Sequence, residues 1–174
     1  FMKFNYPDDS LALHTVAYEL SMMQTYWKQG LANRRAVFEA FFRKMPFQNG
    51  YAVFAGLDHI IRYVKQLHFT DSDIDYPKST GQYDDDFLEY LRDFKFTGSI
   101  RSFEEGDFVF NHEPIFQVDA PIIEGQLIET AVLNILNYQI MVATKASRIK
   151  SIVGDQSVME FGSRREVGGQ AVLG

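Results

Sequence analysis

From Ser10 onward the apolar residues Leu13, Ala17, Leu20 and Met23 recur at helical spacing. Ser10 is placed to cap the first turn and Gly30 to stop the last. Ala36 to Met45 is short, aromatic and β-branched and is closed by Pro46, which predicts a strand. Gly50 to Leu67 returns to the helical period through Val53, Leu57, Ile60, Ile61 and Val64. Thr70-Asp71-Ser72-Asp73 predicts another helix start, in which Pro77 either occupies the first turn or breaks the helix. Asp84 to Asp93 predicts a helix with acids in its first turn, where the helix dipole favours them.

Between Phe96 and Asp119 the period shortens toward two. Ile100, Phe103, Phe108, Phe110, Ile115, Phe116 and Val118 sit among Gly98, Gly106 and Pro114, the pattern of short antiparallel strands joined by turns. Pro121 opens the longest helical stretch, which runs to Val142. A second helix is expected from Ala143 to Val153, stopped by Gly154, and a strand from Ser157 to Phe161. Helices and strands are partly segregated along the chain, which predicts an α+β fold. No internal repeat or low-complexity linker interrupts it.

Composition narrows the class. The 174 residues are 46% hydrophobic, with 16 Phe and nine Tyr, enough apolar surface for a packed core. The net charge of −6 argues against sequence-independent binding to a nucleic-acid backbone, though a local basic pocket for one small anion is compatible with it. There is no cysteine, hence neither disulfides nor thiolate metal sites. No unbroken apolar stretch approaches membrane-spanning length, and the first ten residues lack the pattern of a signal peptide. These features lead us to expect a cytoplasmic protein with no membrane partner.

Several familiar motifs are missing: no glycine-rich dinucleotide or phosphate loop follows a strand, and no nucleophile elbow is present. His14, His59, His68 and His112 are scattered without helical pairing, so no metal site is expected of them. Asp84-Asp85-Asp86 suits a solvated helix start better than a cation site. Glu124 and Glu129, with Gln126 and Thr130 between and beside them, lie on an otherwise apolar helix, either as its solvent face or as a polar face pointing into a site shared with another element. Lys145 and Arg148 share a helix face and offer two cations for a phosphate or carboxylate. Glu160-Phe161-Gly162-Ser163-Arg164-Arg165 places an aromatic ring beside a double positive charge, a chemistry suited to a flat aromatic acid next to a polyphosphate.

These pieces, in order, resemble the nicotinate phosphoribosyltransferase family. The resemblance runs through His14-Thr15, Tyr18 to Met23, Ala36 to Glu39, Phe42 to Phe47 and Gly50 to Leu57. It continues through Phe94 to Gly98, Asn111 to Pro114, Glu124 to Asn134, Ala143 to Arg148 and Glu160 to Arg165. It implies the fold of the type II phosphoribosyltransferases: an N-terminal α/β sandwich domain with a connecting helix over 1–140, and the first elements of an irregular α/β barrel over 141–174. It also implies transfer of phosphoribose from phosphoribosyl pyrophosphate to nicotinate, with Mg2+ and with ATP as co-substrate, in a homodimer. By the same resemblance Tyr18 contacts the nicotinate ring and Phe161 stacks on it. Arg164 and Arg165 meet phosphate or carboxylate, and Lys145 and Arg148 frame the phosphate. No catalytic residue is assigned within the chain.

Two local features depart from the family. Thr15-Val16-Ala17-Tyr18 stands where Thr-Asp-Leu-Tyr is usual, and Pro77 falls where the family continues a helix. Glu166 to Gly174 does not match the family's continuation, which leads us to expect a truncated chain, inactive alone. The competing reading is a non-catalytic remnant that only dimerises or binds a ligand.

Overall fold

A computed structural model describes residues 11–48 and 50–159. Its elements, in chain order, are α1 (Ala17–Lys28), β1 (Arg35–Ala40), a short 3-10 turn (Pro46–Gln48), β2 (Ala52–Val53) and α2 (Leu57–Gln66). They continue with α3 (Asp71–Thr80), α4 (Asp85–Arg92), β3 (Ser99–Ser102), β4 (Phe108–Val109), β5 (Phe116–Pro121) and α5 (Ile122–Val153). This is the α+β composition expected from the sequence. Strands β1, β5 and β3 form one sheet in that order, and β2 pairs antiparallel with β4, Ala52 opposite Val109.

The chain forms two compact units from interleaved stretches. The first takes the chain up to Phe38, then Ile60–Ile100 and Val118–Val132. The second takes Glu39–His59, Arg101–Gln117 and the chain from Leu133 onward.

In the first unit, α1, α2 from Ile60 on, α3, α4 and the start of α5 enclose a core that includes Met23, Ile60, Phe87, Leu91, Ile123 and Leu127, each almost wholly buried. Trp27 packs on Phe87 with ring centroids 5.9 Å apart, and Phe69 meets Phe94 edge-on at 5.8 Å. Helix α3 begins with a reciprocal cap: Thr70 N–H donates to the Asp73 carboxylate at 2.8 Å while Asp73 N–H donates back to Thr70 Oγ1. It ends at Gly81, whose φ of 66° is the left-handed geometry that favours glycine. Helix α5 follows β5 without a loop, and its first amide, Ile122 N–H, donates to Arg34 O at 2.8 Å. Gly125 leaves room for the Phe38 ring, which a β-carbon there would overlap.

In the second unit, Ala52, Phe54, Val109, Ile115, Leu136 and Ile140 are buried. The buried Thr144 of α5 accepts a hydrogen bond from Val53 N–H at 2.9 Å and donates to Ile140 O at 2.6 Å. Glu105 accepts from the amides of Gly56 and Leu57, at 3.0 and 2.7 Å, and so caps the N-terminus of α2 from another loop.

Some expectations need correction. Helix α1 starts at Ala17, not after Ser10: Leu11 to Val16 form turns, with His14 N–H donating to Leu11 O, and Ser10 lies outside the described residues. Strand β1 ends at Ala40, since Pro46 and the left-handed Phe47 and Gln48 turn the chain. Val53 belongs to a strand, and α2 is confined to Leu57–Gln66 because Gly56 at φ 109° turns the backbone first. Pro77 neither opens nor breaks α3. It lies buried inside the helix, which is short and capped at both ends. Helix α5 is one continuous rod of 32 residues rather than two helices. No residue between Ile122 and Val153 lacks an amide, and its lone glycine, Gly125, is in the first turns, so nothing ends the hydrogen-bond ladder near Val142. Ser157 to Met159 is not strand, and the remainder of that expected strand lies outside the described residues.

By length and composition α5 could cross a membrane. Ile123, Leu127 and Ala131 are nevertheless buried in the first unit and Ile140 in the second, with Glu124 and Gln126 among the buried polar residues.

Candidate functional site

Tyr18 stands in the first turn of α1 with 60% of its surface exposed, beside the exposed Val16 and Met22. Its neighbour Glu19 is fully buried, an uncommon place for a carboxylate. Three groups hold it. Thr15 Oγ1 donates to Glu19 Oε2 at close range, Val16 N–H donates to the same oxygen at 3.3 Å, and Thr130 Oγ1 of α5 reaches the two carboxylate oxygens at 3.0 and 3.1 Å. Valine at the head of α1 has no side-chain acceptor, so Glu19 covers from inside the helix an amide that a capping aspartate would leave free.

Two further groups feel this buried charge. Burial, and then the Glu19 carboxylate, push the Tyr63 phenol far above its ordinary value, and its hydroxyl finds no hydrogen-bond partner among the described residues. Burial and then Glu19 also raise the Glu129 carboxyl, partly offset by a hydrogen bond from Gln126 Nε2 at 3.2 Å. The first unit therefore carries an anionic cluster under α1, with Tyr18 pointing away from it.

Glu124 belongs to a different arrangement. It is buried and accepts from Thr97 N–H at 2.5 Å, Thr97 Oγ1 at 2.7 Å and Gly98 N–H at 3.1 Å. It ties the chain entering β3 to α5, its two carboxylate oxygens already accepting from three donors of this chain. Asp84 and Asp85 form surface ion pairs with Lys28 at 2.8 Å and Lys78 at 3.0 Å, as a solvated helix start should. Among the described residues no group of three or more histidines and carboxylates comes together to hold a metal ion.

In the second unit, Lys145 and Arg148 are both exposed on α5, on the one face that their spacing gives them. The Arg148 guanidinium lies over the Phe47 ring, 6.0 Å from its centroid. Phe47 adopts φ 59°, a costly conformation for an aromatic residue. One residue before Arg148, Ser147 Oγ lies 3.3 Å from the Tyr51 hydroxyl, and Tyr51 meets Phe108 edge-on at 4.9 Å. Phe161, Arg164 and Arg165 lie outside the described residues. Sequence reasoning missed Glu19, Tyr63 and Phe47. A carboxylate on the same helical stripe as Leu20 and Met23 was the available sign for the first.

The crystal structure of human nicotinic acid phosphoribosyltransferase superimposes with a TM-score of 0.81, at 34% identity, over 90% of this chain and 32% of that one. A nicotinate-nucleotide pyrophosphorylase from Pyrococcus furiosus matches with a TM-score of 0.71 at 16% identity, which speaks for the fold alone. The architecture is thus that of the type II phosphoribosyltransferases. A family model described as the nicotinate phosphoribosyltransferase N-terminal domain matches residues 13–137, and the chain belongs to that family. A nicotinate phosphoribosyltransferase from Bacillus subtilis is 54% identical over 94% of this chain and 34% of its own length. One from Caenorhabditis elegans is 41% identical over 92% and 30%. The chain spans about a third of the length of these relatives.

Proposed function

We propose that the chain is the N-terminal third of a nicotinate phosphoribosyltransferase. The whole protein joins nicotinate to phosphoribosyl pyrophosphate, releases pyrophosphate and couples the reaction to ATP hydrolysis. The observation that carries this reading is the 54% identity to the Bacillus subtilis protein of that name across 94% of this chain.

The chemistry asks for two things. A ribose carbon with oxocarbenium character must lose pyrophosphate, so anions have to be held still, and a flat ring must be presented in line with that carbon. In this reading the exposed Tyr18 phenol lies against the pyridine ring. Phe161 stacks on that ring, and Arg164 and Arg165 meet phosphate or carboxylate. Lys145 and Arg148 frame the phosphate end, Arg148 stiffened by its seat on Phe47. Mg2+ accompanies the pyrophosphate, and among the described residues no group of three or more histidines and carboxylates comes together to hold it. A homodimer in the cytoplasm completes the reading.

The test is nicotinate-dependent pyrophosphate release by the full-length protein carrying this segment, with phosphoribosyl pyrophosphate, Mg2+ and ATP. Turnover with nicotinate, and not with nicotinamide or quinolinate, is expected. The 174-residue chain alone should show none. Robust turnover by the short chain, or preference for another pyridine, overturns the reading.

A further inference from the structure

We propose that Glu19 is a positioning residue whose clamp on Thr15, Val16 and Thr130 sets the direction in which Tyr18 leaves α1. The inference rests on the reading above, in which Tyr18 meets the substrate ring, and adds to it the device that aims the phenol.

Three observations carry it. Glu19 and Tyr18 are successive residues in the first turn of α1, about 100° apart around the axis, so the orientation of one fixes the other. Helix ends fray, and this one starts at a valine without a side-chain cap, so the first turn depends on what else restrains it. The restraint is the Glu19 carboxylate. One oxygen receives Thr15 and the Val16 amide, while both accept from Thr130, 111 residues away on α5. That combination fixes the rotation of α1 about its own axis as well as its first turn.

A role in packing alone explains the arrangement poorly. A buried carboxylate pays desolvation that an apolar side chain of similar volume would not. Its charge also bears on Tyr63 and Glu129. An apolar residue could fill the space under α1, but it could not hold an amide and two hydroxyls in fixed directions.

The experiment measures steady-state kinetics of the full-length protein with Glu19→Gln, Tyr18→Ala and the double variant. Glutamine keeps the size but turns an amide N–H2 toward groups that donate. A Tyr18 contact made equally in ground and transition states affects KM rather than kcat. Glu19→Gln should therefore raise the KM for nicotinate roughly fivefold with kcat within about twofold. In the Tyr18→Ala background the same change should add less than about twofold, because there is no ring left to misdirect. Thr130→Val should reproduce the effect and Thr130→Ser should not, which keeps the test usable if Glu19→Gln fails to fold.

If Tyr18→Ala raises KM while Glu19→Gln and Thr130→Val leave it unchanged, the inference fails and the role of Tyr18 stands. If the Glu19 and Tyr18 effects simply multiply, Glu19 is structural and the inference fails. If Tyr18→Ala leaves KM unchanged, the ring contact itself is wrong and the inference falls with it.

Discussion

Replacing Glu124 by alanine should cost about 3 kcal/mol of folding stability. The carboxylate is the acceptor for three donors: Thr97 N–H, Thr97 Oγ1 and Gly98 N–H. Thr97 is exposed, so its hydroxyl can turn to water once the carboxylate is gone. The two amides are less free. Gly98 is pressed onto β5, where even a β-carbon would lie 2.6 Å from Ala120 Cβ and 3.0 Å from Asp119 O. A buried donor left without a partner costs about 1–3 kcal/mol, and bonds to a charged acceptor lie toward the upper end. Two fully buried amides would give about 2–6 kcal/mol; these two are only part-buried, which places the loss in the lower half of that range. Glu124→Gln keeps an acceptor and should lose about half as much. Urea unfolding of the 174-residue chain measures both, with an unchanged m-value indicating that only stability moved. A loss below about 1 kcal/mol for alanine, or equal losses for the two variants, would refute the claim that these bonds hold the entry to β3.

Three more outcomes follow from the same geometry. Tyr63→Phe removes a buried hydroxyl with no partner among the described residues, and should raise stability by about 1 kcal/mol, seen as a Tm higher by about 2–4 °C. Gly56→Ala should lose about 1–3 kcal/mol in the same denaturation assay, because φ is 109° and the new carbon would sit 3.3 Å from Ile135 Cγ2 and Gln139 Cβ. Glu129 has a folded-state pKa above its unfolded one, so the native state holds the proton more tightly. Stability should therefore fall as pH rises from the unfolded pKa through the raised folded value, then level off. Glu129→Gln should flatten that fall when unfolding free energy is followed against pH, and an unchanged profile would count against a raised folded-state pKa for Glu129.

Periodicity located most helices because their buried stripes are regular. The capping residues of α3 and the acids opening α4 were equally plain, since capping is a local interaction. What escaped the sequence was decided at long range. Whether Pro77 breaks α3 depends on the core it enters. Of the candidate site, the positions of Lys145 and Arg148 on one face followed from spacing alone. Glu124 was visible as a misplaced acid, but its role required Thr97 and Gly98, 27 and 26 residues earlier. The Glu19 cluster needed α5 brought back over α1, a partnership that no local pattern encodes.

The interleaving of the two units has a consequence for how the polypeptide acquires its structure. Neither unit is a continuous piece of chain, and each draws its final wall from α5, the last element among the described residues. Thr130 reaches back 111 residues to Glu19, and Thr144 reaches back 91 residues to Val53. Closing such distant contacts carries a large loop entropy before any of it is repaid, which slows folding. During synthesis, which proceeds from the N-terminus, α1 to α4 and the five strands of the described residues emerge before the helix that completes either core. The nascent chain must therefore keep Phe54, Phe87 and their neighbours from associating elsewhere until α5 has left the ribosome.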